Sequence, residues 1–372
     1  MSKIKVLHLL EWFDISGGLE RVALEIAFGL AGEKYDVEIW CVHRGGALVE
    51  SLEQKRISVR ILNIESYFNP LNILKLARAF RETKPDIIHT HVYFASTIGR
   101  IAATIAGVPV CINHVHSAYW HYTPQNLFIE RLLAQVTRRI ICVSNYVRDF
   151  VINHEKIDPS KVEVIYNGIT SVNTASRPDS RQAFHVPEAE IIITTVATLF
   201  ENKGHQVVLK ALSLLRDRFK NFKYWIVGAG LMEKELKELA KQLNLEKEII
   251  FWGVRKDVPQ ILAASDIFVL ASIHREGLPI SILEAQSCQV PVIASRIGGV
   301  PEVINDQVNG LLVAPNDPAA LAKALEELIF KSDKRQEYAK EGARTFNEHF
   351  CAKFMIERID RLYQKCLNLR LK

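Results

Sequence analysis

The chain alternates short apolar runs with helical stretches of amphipathic spacing, breaks off once, and then starts again. Ile4–Leu10 reads as a strand, and Leu19, Val22, Ala23, Ile26, Ala27 and Leu30 follow at the spacing of one buried helix face. Val37–Val42, Val59–Leu62, Asp86–His91, Val108–Asn113, Arg139–Ser144 and Val162–Tyr166 read as further strands, with helical stretches such as Ile73–Thr83 and Asn126–Thr137 between them. Thr170–Glu190 is rich in Ser, Thr, Pro and Asp, lacks periodicity, and reads as an interdomain connection. Beyond it Ile191–Ala197, Tyr224–Val227, Ile249–Trp252, Ile267–Ala271, Val290–Ala294 and Leu311–Val313 read as strands, and Phe346–Leu371 as one or two closing helices. Such alternation predicts parallel sheets covered by helices on both faces. At roughly 150 residues per domain, the 372 residues suit two of them. The expected fold class is α/β, with two Rossmann-like doubly wound domains facing a cleft. Residues 1–170 form the first domain and 171–350 the second, and 351–372 form a C-terminal helix packing back toward the first.

Hydrophobic residues make up 48% of the chain and charged residues 24%, ample for two cores. The formal charge of +5 suits anionic ligands and carries no signature of nucleic-acid binding. None of the six cysteines forms a C-x-x-C pair, and several lie in apolar strand-like runs, as buried thiols of a reducing compartment do. Met1–Leu10 reads as a first strand and not as an export signal, and no run approaches about 18 apolar residues. A cytoplasmic location is expected, with peripheral contact on the inner face of a membrane left open.

The segment with most chemistry is Glu276-Gly277-Leu278-Pro279-Ile280-Ser281-Ile282-Leu283-Glu284-Ala285. It follows an apolar strand, and Pro279 suits a first helical position. Gly277 lets the backbone approach a ligand, and the helix start offers free N–H groups to a phosphate. Glu276 falls before the helix and Glu284 roughly 7–8 Å along it at 1.5 Å per residue. Carboxylates so spaced can accept hydrogen bonds from sugar hydroxyls at two ends of one extended ligand.

With these residues in place, the chain resembles the GT-B-fold retaining glycosyltransferases of family 4. The matching segments run in order: Gly17-Gly18-Leu19-Glu20-Arg21, His116 in Asn113-His114-Val115-His116, Asn167-Gly168, Asn202-Lys203-Gly204-His205, Val227-Gly228-Ala229-Gly230, the Glu276/Glu284 pair, and Ile297-Gly298-Gly299-Val300-Pro301-Glu302. The resemblance implies a metal-independent hexosyltransferase with no cofactor. It would move a hexose or N-acetylhexosamine from a nucleotide-diphosphate sugar, UDP-linked first and GDP-mannose second. The acceptor implied is a saccharide or lipid-linked one of surface polysaccharide or lipopolysaccharide synthesis.

Lys203 would clamp the donor diphosphate, Glu276 would contact the transferred sugar, and Glu284 would hold the ribose. His116 would donate a hydrogen bond beside the sugar, so His116, Glu276 and Lys203 are the implied catalytic residues. Gly17, Gly18, Gly228, Gly277, Leu278, Pro279 and Ile280 complete the donor site. The family's V-G-R-L reads Val196-Ala197-Thr198-Leu199 here, so Thr198 replaces an expected phosphate-binding arginine. Either Lys203 and the helix end suffice, or another cation helps, with Arg255 and Arg275 the candidates. No D-x-D occurs, and the H-x-H pairs His89/His91 and His114/His116 lack ligand-spaced partners, so no metal is expected. Arg131, Arg138, Arg139 and Arg148, with Tyr119, Trp120, His121 and Tyr122, could face a membrane or an acceptor. Three other readings stand against the transferase. A nicotinamide dehydrogenase fails because Gly228-Ala229-Gly230 runs on to Glu233 where a third glycine is needed. A two-lobed sugar-binding protein would need an export signal. A sugar-nucleotide epimerase or phosphorylase on the same fold is the near alternative.

Overall fold

The computed structural model describes residues 3–13, 18–46, 49–64, 66, 69–171 and 176–368. The chain forms two compact units, Met1–Gly168 with Ala352–Lys372, and Ile169–Cys351.

The first unit is built on a seven-stranded parallel sheet of order β3-β2-β1-β4-β5-β6-β7. Its strands are β1 Ile4–Phe13, β2 Tyr35–Gly45, β3 Ser58–Ile61, β4 Ile87–His91, β5 Val110–Val115, β6 Arg139–Cys142 and β7 Val162–Val164. Every residue of β4 and β5 is buried, as expected of central strands covered on both faces. The last helix, Ala352–Asn368, belongs to this unit. Its Ile356 fills the space beside Gly29, where an added Cβ would meet Ile356 Cδ1 at 2.1 Å. The Tyr35 hydroxyl donates to Asp360 Oδ1 at 2.5 Å and accepts from Gln364 Nε2 at 2.8 Å.

The second unit carries a six-stranded parallel sheet of order β10-β9-β8-β11-β12-β13. These strands are β8 Ile191–Val196, β9 Phe222–Val227, β10 Ile249–Gly253, β11 Ile267–Leu270, β12 Val292–Ser295 and β13 Leu311–Val313. Two doubly wound, Rossmann-like units are therefore present, as the strand–helix alternation implies.

The segment read as an interdomain connection without periodicity holds a helix, Arg177–Ala183. The Ser176 side chain accepts from Asp179 N, and a proline sits in the first turn, so a cap starts the helix without any apolar periodicity. Arg177 and Arg181 then tie it to Asp266 at 2.6 and 3.0 Å. Among the described residues, no helix is long and apolar enough to cross a membrane.

Candidate active site

Strand order in the second unit reverses between β8 and β11. Doubly wound sheets take ligands outside the carboxyl ends of their strands at such a point. The loop leaving β8 carries Thr198 and Lys203, and the loop leaving β11 carries Ser272 and Glu276. The two loops are stitched together, with Ile273 N donating to Asn202 O at 2.9 Å. Gly204 makes this approach feasible: its φ is +69°, and a Cβ there would lie 1.8 Å from the carbonyl oxygen of Ala271.

Within this junction Lys203 Nζ donates to Glu276 Oε1 at 2.7 Å, and Ser272 Oγ donates to the same oxygen at 2.5 Å. Glu276 is buried, whereas the Lys203 side chain keeps 23% of its surface. The carboxylate is fixed from behind, and the ammonium sits on the solvent side of it. Gly298, at φ +57°, allows the third loop to close on the Glu276 backbone, and Gly299 N donates to Glu276 O at 3.1 Å. Arg275, just before Glu276, has a left-handed φ of +68°, a conformation costly for a side chain of its size.

The helix that follows runs Ile280–Ser287, and Pro279 is its cap and not its first residue. Proline fixes φ, here −68°, but leaves ψ free, and ψ of 120° keeps it extended. Among the described residues no side chain caps this end, so its first N–H groups and the positive end of the helix dipole are available to an anion. Gly277, Leu278, Pro279 and Ile280 are buried, and Glu284 is half-buried one turn into the helix. Gly228 follows β9 and donates its N–H to Gly253 O at 2.8 Å. Thr198 is half-buried, and its carbonyl oxygen lies 3.2 Å from His205 Nε2.

The first unit gathers five histidines at its own strand reversal, between β1 and β4. Sheet register sets His8 of β1 beside His89 of β4, and His91 beside His114 of β5. His116 follows β5 directly. The two H-x-H pairs, separate in the sequence, are one cluster. His8 Nδ1 lies 3.0 Å from His91 Nε2, and His91 Nδ1 lies 3.0 Å from His116 Nε2. His89 Nδ1 lies 2.6 Å from the hydroxyl of Tyr363, on the C-terminal helix. Burial pushes the His8 and His116 imidazoles down to about 3, although His116 keeps some surface. Burial, followed by neighbouring imidazoles, holds His89, His91 and His114 well below the ordinary range. All five rings are therefore neutral at pH 7.

Two trios, His8–His89–His91 and His91–His114–His116, bring ligating nitrogens within 4.8 Å of one another. Within each trio the ring planes lie only 16–34° apart, so their in-plane lone pairs do not converge on one point. The arrangement is that of a hydrogen-bonded stack. A small pocket beside it is lined by Tyr93, Asn113, His114, Tyr119, Tyr122, Glu130 and Glu155.

Residues 16–171 match the family model Glycosyltransferase Family 4, and residues 176–345 match the model Glycosyl transferases group 1. The UDP-Gal:alpha-D-GlcNAc-diphosphoundecaprenol alpha-1,3-galactosyltransferase of Escherichia coli is 30% identical over 340 residues, 87% of each chain. This chain belongs to glycosyltransferase family 4. Solved structures agree on the GT-B fold of the enzyme. A glycosyltransferase from Rickettsia africae superposes with a TM-score of 0.85 at 26% identity over 99% of both chains. Anabaena HepE in complex with UDP-glucose gives 0.87 at 25% identity, over 97% of this chain and 100% of that one.

The glycosyltransferase treats its two candidate substitutes for the missing arginine differently. Arg255 is taken: its Nε and Nη2 donate to the two carboxylate oxygens of Asp257 at 2.8 and 2.6 Å, and it lies over Trp252. Arg275 is exposed and forms no ion pair among the described residues. Gly18 opens the helix Gly18–Leu30, and Gly17 lies outside the described residues. Sequence reasoning missed Ser272, whose spacing to Glu276 carries no local signal. It also missed His8, and it set His91 with His89 alone, whereas the sheet register brings His8 and His91 together beside His116.

Proposed function

We propose that this hexosyltransferase moves a hexose or N-acetylhexosamine from a UDP-sugar to a saccharide or lipid-linked acceptor, with retention of anomeric configuration. GDP-mannose is the second donor. The observation that carries the reading is the Lys203–Glu276–Ser272 cluster at the strand reversal, beside an uncapped helix start. A diphosphate there would meet the ammonium and the helix N–H groups together, which stabilises the charge that builds on the leaving group as the glycosidic bond breaks. Glu276, held by Ser272, then accepts a hydrogen bond from the sugar. Glu284 takes the ribose, and Arg275 replaces the cation lost at Thr198. His116 donates to the sugar beside its reacting carbon. The E. coli relative is named for UDP-galactose and a diphosphoundecaprenol-linked acceptor, and the HepE complex contains UDP-glucose, which supports the choice of donor and acceptor class. No metal takes part at the diphosphate, and the acceptor hydroxyl attacks on the face that the diphosphate leaves.

The test is direct. UDP-glucose, UDP-galactose, UDP-N-acetylglucosamine and GDP-mannose are each incubated with a lipid-diphosphate-linked sugar, with and without EDTA, and the product is read by NMR. An α-linked product from one UDP-sugar, formed equally well in EDTA, is expected. A β-linked product, or transfer that stops in EDTA, would sink this mechanism.

Peripheral membrane contact belongs to the same proposal. The helix Pro124–Val136 buries Glu130, Leu133 and Ala134, yet exposes Phe128, Leu132 and Val136 at 60%, 48% and 45%. Those three recur at i, i+4, i+8 and form one apolar stripe, with Arg131 exposed on the same helix. Such a stripe with a cation beside it suits an anionic bilayer surface. The double variant Phe128→Ser, Leu132→Ser is expected to lose at least tenfold in affinity for phosphatidylglycerol vesicles in a flotation assay. Its transfer to a water-soluble acceptor should stay unchanged. Unaltered vesicle binding would remove the stripe from the proposal.

A further inference from the structure

Two buried imidazoles and the part-buried His116, hydrogen-bonded in series, admit two proton arrangements. In one, His8 Nδ1–H donates to His91 Nε2 and His91 Nδ1–H donates to His116 Nε2. That leaves a proton on His116 Nδ1 and a bare lone pair on His8 Nε2. In the other, every proton sits on Nε2. His116 then donates inward, and His8 Nε2–H points into the core. The distances of 3.0 Å and 3.0 Å suit either direction.

The buried end favours one of them, although His114 beside the chain has neither nitrogen partnered among the described residues and so carries an unmet N–H of its own. His8 Nε2 is fully buried and has no hydrogen-bond partner among the described residues. Of the two groups that could occupy that position, an orphaned N–H is the rarer in folded proteins, and an unmet lone pair is better tolerated. The chain therefore runs outward. We propose that His8 and His91 are positioning residues which, through this directional chain, hold His116 in the Nδ1-protonated form, so that it meets the transferred sugar as a hydrogen-bond donor and never as a base.

This rests on the reading of His116 as the sugar-facing histidine, and it adds the reason that residue can play only one part. The low proton affinity of all three rings keeps each at a single proton near neutral pH, as the directional chain requires. It also identifies the partner that His116 needs on the sugar, an oxygen with a free lone pair.

The experiment is a long-range proton–nitrogen correlation on 15N-histidine-labelled enzyme at pH 7.5 without donor, which reads the tautomer of each ring directly. His116 is expected to carry its proton on Nδ1 in essentially all molecules. In His91→Leu, which removes the inward donor, His116 should become a mixture of both forms, with kcat/KM reduced about tenfold. In His91→Asn the side-chain amide can still donate, and the Nδ1 form should return with most of the activity. A wild-type His116 protonated on Nε2, or an unchanged tautomer in a folded His91→Leu, overturns the proposal. If His91→Leu fails to fold, the wild-type tautomer decides alone. Because the spectrum needs no substrate, it can refute the chain while transfer stands. Adding the UDP-sugar afterwards tests the sugar contact separately, through a shift of the Nδ1–H signal.

Discussion

Lys203→Ala should lower kcat/KM by about 100- to 1,000-fold, the usual consequence of removing one preorganised donor from a developing anion. The same variant should bind UDP roughly tenfold or more weakly, since a hydrogen bond to a charged group contributes about 1.5–3 kcal/mol. Geometry explains why one ammonium matters so much. Lys203 Nζ is fixed 2.7 Å from Glu276, whose carboxylate also accepts from Ser272, so the cation is in position before any donor arrives. Little reorganisation is then needed as the leaving-group charge grows. Lys203→Arg keeps the charge but changes its shape, and should recover only part of the loss. Glu276→Gln separates the two roles. It should leave UDP affinity within about twofold, while weakening the UDP-sugar and lowering kcat, because the carboxylate meets the sugar. Titration calorimetry with UDP and with the UDP-sugar reads both arms. If Lys203→Ala bound UDP as tightly as the unaltered enzyme, the diphosphate would lie elsewhere.

The fold was legible because both domains repeat a local pattern. Strands such as Ile267–Leu270 are apolar runs, and the helices between carry periodic faces. Glu276 and Glu284 were legible for the same reason, being a strand–loop–helix signature within ten residues. What stayed hidden is what topology creates. His8 meets His91 across 83 residues of sequence, and Lys203 meets Glu276 across 73. No spacing rule spans such separations; only the strand order does. The helix Arg177–Ala183 was hidden differently, because its stability comes from a cap and from Asp266 and not from an apolar face. Arg255 could have been discounted from the sequence alone. Asp257 stands two residues on, within reach of a bidentate pair.

Glu130→Ala should cost about 3–5 kcal/mol, the usual penalty for stranding one partner of a buried ion pair. For a unit of this size that lowers its melting temperature by roughly 10 °C. Arg100 is fully buried, and its Nη2 donates to both oxygens of Glu130 at 2.6 and 2.7 Å. A second carboxyl group, Glu155, is buried nearby and lines the same pocket as Glu130 and His114. Burial first, and then the charge of Glu130, push it up to about 8 from an ordinary 4.5. Arg100 pairs with Glu130, Arg131 donates its Nε to the backbone carbonyl of Glu155, and the Glu155 carboxyl stays protonated at neutral pH. Since its folded pKa is raised, the protonated form stabilises the fold fully below about 4.5, and that contribution fades as pH rises toward 8. Glu155→Gln should therefore gain stability over the unaltered protein progressively across that interval, with little difference at pH 4.5. Removing Glu130 reverses the sign. Arg100 then lacks a counter-charge and Glu155 loses its repelling neighbour, so ionised Glu155 becomes, among the described residues, the carboxylate lining that pocket that offsets the cation. The loss in Glu130→Ala should be largest near pH 5.5 and shrink by pH 8.5, as read by scanning calorimetry at both values. A deficit that grew with pH would mean that Glu155 does not share the cation.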